Sequence, residues 1–440
     1  MQKSALSNNE AGMFGEVLRQ EFEQFRKQEH SESSMNLRET AFAEFQQLGF
    51  PTTRMEEWKY TSLKSIQKGA FKTLQPDMEQ VKALLHQSMV KSLKANRLVF
   101  INGQYYPALS ELLEEDASIV LTDIKTARIQ CAEVVEQHFA KYAPIHGEAM
   151  NALNTALSPD GAFIFIPKGK KPQFPIILNH ITDSVLGPAL AQPRNLIVVE
   201  EEATAFVIET YYSIGANPGF TNVVNEIYAG AGSEVEHYKL QHETGENYHN
   251  NFTQVFQEAK TKINQVTLTL DGKLVRNNLH FYMNGSDCNS LLYGLYLTRN
   301  EQLVDNHTRV DHASPNCFSD EKYKGILKDH STAVFNGKIM VHKGAQKTNA
   351  YQRNQNILMS DEATVNTKPQ LEIFADDVKC THGATIGQLD EEPLFYMRSR
   401  GIPEDVARKL LLNAFAGDIA EKIKIPELVT ILEDQIDATI

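Results

Sequence analysis

From Gly161 to about Gln388 apolar and polar residues alternate in short bursts, a period of two that predicts strands whose side chains point to opposite faces in turn. FIFIPKG, FPIILNHI, NLIVVEEE, TAFVIETYY, NVVNEIYAG, SEVEHYKL, QVTLTLDG, LHFYMNG, CNSLLYGLYL, FNGKIMVH and PQLEIFA are separated by Gly, Asn or Asp, and almost no helix-period segment interrupts them. A doubly wound sheet needs a crossover helix between parallel strands, and none is visible. A sandwich or barrel favours tight two-residue hairpins, yet NG and DG occur only a few times here. Short strands recurring at broadly similar spacing fit the coils of a parallel β-helix, with a large β-sandwich as the alternative.

On either side the period lengthens. Phe14, Leu18, Phe22 and Phe25, then Phe42, Phe45 and Leu48, predict two helices joined by the polar HSESS linker. Residues 78–160 are mixed, with a strand-like RLVFINGQYY and a helical run around Cys131, which reads as a small, at least half-buried hydrophobe. Beyond Gln388, LDEEPLFYMRSR opens with acids where a helix N-terminus favours negative charge and stops at Gly401. Pro403 opens the next helix, in which Val406, Leu410, Leu411, Ala414 and Phe415 predict one apolar stripe, and a last helix begins near Pro426. The expected organisation is a mostly helical region 1–160, a β core 161–388 and a helical module 389–440.

Composition narrows the function. A chain of 440 residues with 42% hydrophobic and 22% charged residues is an ordinary globular protein, and its net charge of -13 argues against a general nucleic-acid binder. Four cysteines, at 131, 288, 317 and 380, without CxxC pairs, make neither a disulfide framework nor a structural zinc site and point to a reducing compartment. MQKSALSNNEAGMFGEVL lacks the pattern of a secretory leader and no stretch is long enough to span a membrane, so a cytoplasmic protein is expected. There is no GxxxxGKS/T, GxSxG or HExxH, so any nucleotide energy must come from another subunit.

The candidate chemistry gathers between Asn366 and Gly401. Cys380 and His382 are two apart in a strand pattern and therefore on one face, where a thiolate and an imidazole could serve iron, copper or zinc. Two ligands do not complete a site, which points to an interface. VDNHTRVDHASPNCFSD places His307, Asp311, His312 and Cys317 within eleven residues. A metal site is the sharp reading of that group, and polar residues on a solvent face or turn the bland one. Trp58, the single tryptophan, is either an anchor for the helical arm or a ligand platform.

The run KPQLEIFADDVKCTHGATIGQLDEEPLFYMRSRGI, with DNHTRVDH, YKGIL and RMEEWKYTSL, closely resembles the SufB/SufD family of scaffold subunits in SUF iron-sulfur cluster assembly. KCTHGAT followed by LFYMRSRGI is the most specific part. Where SufB has a cluster-ligating cysteine this chain has Asn354, which favours the SufD side of the family. The resemblance implies a right-handed parallel β-helix core between N-terminal and C-terminal helical regions, acting as a non-catalytic scaffold. It implies pairing with a SufB-like homologous subunit through the β-helix ends. It also implies docking of the ABC-type ATPase SufC on the C-terminal helices, where Leu394, Phe395, Arg398, Val406, Leu410 and Phe415 are the contact candidates. His382, supported by Cys380, becomes the cluster-assembly residue. No cofactor is held tightly by the isolated chain; iron or a transient iron-sulfur cluster sits at the SufB interface. Reduced flavin in the complex and homodimerisation of the isolated chain stay open. The alternative from another class is a carbohydrate-active β-helix enzyme using acids such as Asp311 and Asp376.

Overall fold

The computed structural model describes residues 13–28 and 31–439. The segment MQKSALSNNEAG, expected to be no secretory leader, and His30 of the linker therefore lie outside the described residues. Within them the chain passes back and forth between two long sheets, so that each coil contributes one strand to each. Glu234 pairs with Lys262, Lys262 with Asn289, Asn289 with Phe318, Phe318 with Asn349 and Asn349 with Lys379, so that a coil takes 27 to 31 residues. These pairings are all parallel. The result is a β-solenoid of about 8 turns with helices at both ends of the chain. Antiparallel pairing among the described strands is confined to the start, where Asn96–Ile101 meets Gln104–Tyr105 and Val120–Asp123 meets Ala162–Ile166. The hairpin-based sandwich is therefore excluded, and strands from inside the stretch expected to be mostly helical join the two sheets.

The turns explain why few NG or DG pairs were needed. Glu202, Lys260, Asp287, Asn316, Asp329 and Lys347 adopt positive φ between strands, and Asp or Asn, which tolerate that conformation, occupy three of these positions. Between the sheets, Ile176, Leu178, Ile197, Val207, Ile227, Val255, Phe281 and Val310 build the inner core. The outer faces are covered as well. Phe14, Leu18, Phe42, Phe45 and Trp58 pack with Phe220 and Tyr248 on one sheet. Leu412, Ala416, Ile419 and Leu432 pack with Tyr238, Val266, Leu268 and Leu295 on the other. Both sheets are thus buried on two faces for much of their length.

The apolar stripe predicted on the helix Glu404–Ala420 is divided between the sheet and the surface. Leu412, Ala416 and Ile419 face the sheet, with Leu411 and Phe415 half-buried against it, while Ala407 is buried and Val406 and Leu410 are exposed. Polar contacts fix which part meets the sheet. Lys322 and Lys324 both hold Asp418 at 2.6 Å, and the Lys324 ammonium lies 4.4 Å from the Phe415 ring centre. No helix among the described residues is long and apolar enough to cross a membrane.

The two ends of the solenoid differ. At its start the antiparallel pairs and the segments around them close the sheets. At its finish Thr364–Ile373 and Val378–Gln388 each pair on one side only, leaving two open edges.

Candidate functional site

Cys380 and His382 stand on Val378–Gln388, the last strand of its sheet. The register places Cys380 over Ala350 and His382 over Gln352. Cys380 is half-buried against Ile339, Val341, Ala345 and Ala350, which continue the inner core to its open end. It therefore points inward, and His382, two residues along, shares that face. His382 is exposed because no further coil covers it, and its ring has no hydrogen-bond partner among the described residues. Burial pushes the Cys380 thiol above its ordinary range, so in this chain alone it stays protonated.

A polar column continues beneath His382. Gln352 is 1% exposed and its Nε2 donates to Glu321 Oε2 at 2.9 Å. Glu321 lies over Leu292 of the inner core, and burial pushes its carboxyl up to about 7. Asn354, the position that separates the two branches of the resemblance, is buried and donates to the Tyr296 hydroxyl at 3.1 Å and the Tyr323 carbonyl at 3.3 Å. It is committed to the fold. Around the open rim Ile373, Phe374 and Ile386 are exposed, apolar groups that a monomer ordinarily covers.

The partner-docking candidates divide. Phe395 is 73% exposed, and Val406 and Leu410 present apolar surface on the next helix. Arg398 is exposed and paired with Glu404 at 3.2 Å. Leu394 is buried at 1%, and Phe415 is half-buried under Lys324, so these two shape the module from within. Tyr396, unremarked in the sequence, adds to the exposed set.

The residues of the DNHTRVDH stretch scatter by strand parity. His307 faces outward, with Nδ1 3.2 Å from Glu57 and Nε2 2.9 Å from Asp305. Asp311 also faces outward, held by Arg309 and by His342 Nε2 at 2.9 Å. His312 turns inward to Ser319 Oγ at 2.9 Å, and burial pulls its pKa down to about 4. Cys317 is buried in a turn. Among the described residues no group of three or more His, Cys, Asp or Glu side chains is placed to hold a metal, so the metal reading of this stretch fails. Asp376 is exposed beyond the end of Thr364–Ile373, and among the described residues nothing ties it to Asp311.

Trp58 is buried, and the Arg276 guanidinium lies 3.9 Å from its ring centre. Arg276 is in turn paired with Asp305, which also accepts from Thr61 Oγ1. The tryptophan anchors the arm, next to a cavity of about 360 Å³ lined partly by Arg276, His280, Arg309 and Lys338. The sequence reading missed both Gln352 and Glu321. Polar residues at alternate positions of YQRNQNIL and SDEKYKGIL look like a solvent face, and only the register shows them to be interior.

Comparison with known proteins agrees with this architecture. The model described as the SufBD protein N-terminal region matches residues 16–178, and the SufBD core domain of SUF system FeS cluster assembly matches 180–415. An iron-sulfur cluster assembly SufBD family protein of Synechocystis is 33% identical over 389 residues, covering 87% of this chain and 85% of that protein. The iron-sulfur cluster assembly protein SufD of Escherichia coli is 32% identical over 378 residues, covering 86% of each chain. SufD of Bacillus subtilis is 25% identical over 419 residues, covering 91% of this chain and 93% of that one. With both parts of the chain matched and its relatives aligned along most of their length, this chain belongs to the SufB/SufD family of the SUF iron-sulfur cluster assembly system.

Proposed function

We propose that the chain is a non-catalytic, cytoplasmic scaffold subunit that supports nascent cluster assembly and iron acquisition at the open end of its solenoid. A homologous SufB-like solenoid docks there, and a SufC-like ATPase docks on the exposed face formed by Phe395, Val406 and Leu410. One observation carries the reading. Among the described residues an inward-facing His382 without a partner stands at an end where both sheets stop with unpaired edges and exposed Ile373, Phe374 and Ile386. Unpaired edges are liabilities in a finished protein and templates for another sheet. An imidazole beside a soft thiol suits iron, and the missing ligands belong to the partner. Cys380, protonated in the isolated chain, becomes a ligand once a metal displaces its proton. Iron and the cluster are cargo in this account, held transiently between subunits.

The test is His382→Ala in the assembled complex. Its partners are expected to co-purify with the variant as with wild type, while iron-sulfur cluster formation on the complex is lost. Normal cluster formation by that variant would sink the assigned role. The helix face has a separate test: Leu410→Asp is expected to release the ATPase and leave the pairing of the two solenoids intact.

A further inference from the structure

Gln352 and His382 occupy neighbouring rungs of one sheet, the glutamine one coil below the histidine. The same sheet carries a second pair of this kind, His237 and Gln265, also in register on adjacent coils. There the imidazole Nδ1 and the glutamine Oε1 are hydrogen-bonded. At the open end the corresponding bond is not made. Among the described residues Gln352 Oε1 is buried without a partner, while Nε2 of the same amide is committed to Glu321. A buried acceptor left unpaired costs stability, so the amide is held with its oxygen available for a further donor.

The opposite sheet makes room for that amide. Gly337 lies in an ordinary strand, and no positive φ requires glycine there. Space does: a Cβ at Gly337 would overlap Gln352 Nε2 and stand 2.7 Å from its Cδ. Glu321 on one side and Gly337 on the other therefore fix the position of one carboxamide directly beneath His382.

We propose that Gln352 is a positioning residue for His382, its Oε1 accepting the N–H of one ring nitrogen and leaving the other unprotonated and turned out of the open end toward a metal. Glu321 sets which way the Gln352 amide faces. A metal-ligating imidazole almost always donates its second N–H to an oxygen, which fixes tautomer and ring orientation together. The inference rests on the reading of His382 as a metal-side residue.

The experiment uses the full chain labelled with ¹⁵N-histidine at about pH 8, where an ordinary imidazole is neutral. His382 is assigned by its absence in His382→Ala. In wild type its two ring nitrogens are expected at separate positions, one protonated and one not. In Gln352→Met they shift toward the averaged position of a freely exchanging imidazole. Gly337→Ala, which displaces the amide without removing it, produces the same shift. Gln352→Glu, which keeps an acceptor oxygen on the same rung, restores the separation. Resonances unchanged in a folded Gln352→Met overturn the proposal. If that variant does not fold, unchanged resonances in Gly337→Ala overturn it equally. The two readings fail separately, since normal cluster formation by His382→Ala removes the metal role and leaves the tautomer result standing.

Discussion

His237 and His382 both face the inside of the same sheet, and their surroundings are opposite. His237 is buried at 0%, with Gln265 on one ring nitrogen and Glu209 at 2.9 Å on the other. Glu209 also accepts from the Tyr211 hydroxyl at 2.7 Å and from Asn225 at 3.1 Å, and Lys239 lies 3.7 Å away. Burial alone would raise the Glu209 pKa, but Lys239 and His237 outweigh it and hold the carboxyl well below its usual range. His382 also has a glutamine one rung away, and a carboxyl beyond it, but no bond to either and nothing above it. The first group is a closed knot that holds coils together. The second is the same kind of hardware left open where the coils stop. A polar group in a solenoid is structural where the next coil satisfies it, and in the proposed complex it is available for chemistry where the coils stop.

The largest effect that follows concerns the knot. Glu209→Ala leaves Lys239 as an unpaired cation and His237 short of a partner in the interior, and breaking such a buried pair costs about 3–5 kcal/mol. The urea midpoint of the full chain is expected to fall sharply, or the variant to fail to fold. A midpoint close to wild type would show that the knot is not what it looks like.

The next effect depends on pH and falls on the column beneath His382. The Glu321 carboxyl is raised by burial to about 7 from an ordinary 4.5, so the folded state favours its protonated form. The stability it contributes is complete below about 4.5 and is lost as pH rises through about 7. Across that window the loss is on the order of 3 kcal/mol. Glu321→Gln removes the titration, so the variant should gain on wild type between pH 5 and pH 8 in paired denaturation curves. Parallel curves for the two proteins would contradict the cause assigned to the shift.

The smallest expected stability change is at the open end. His382→Ala removes an exposed side chain whose proposed partner is Gln352 alone and should lower stability by no more than the worth of one hydrogen bond, about 1 kcal/mol. A loss comparable with that of Glu209→Ala would erase the contrast between the two histidines.

Much of this was legible in the sequence, for identifiable reasons. Alternation with few hairpin turns marked parallel coils, and the two-residue spacing of Cys380 and His382 put them on one face before any register was known. Which face was inside was not legible. In a sheet covered on both sides each parity carries apolar residues, and Glu209, His237, Glu321 and Gln352 imitate a solvent face until their neighbours on adjacent coils are identified. Parity also dissolved the DNHTRVDH group, sending His307 and His312 to opposite sides of one strand. On Glu404–Ala420 the helical period was legible, but which part of the stripe meets the sheet was not. The anchors that decide it, Lys322 and Lys324, lie nearly a hundred residues earlier in the chain.

The central claim is that the terminal coil is an interface awaiting a homologous solenoid, and amide hydrogen exchange on the chain with and without the SufB-like subunit tests it most directly. Protection is expected to rise across Thr364–Ile373 and Val378–Gln388, while Thr204–Ile214 and Gly219–Ala229, already paired on both sides, stay unchanged. Complex formation that leaves the two terminal strands exchanging as in the free chain would contradict it.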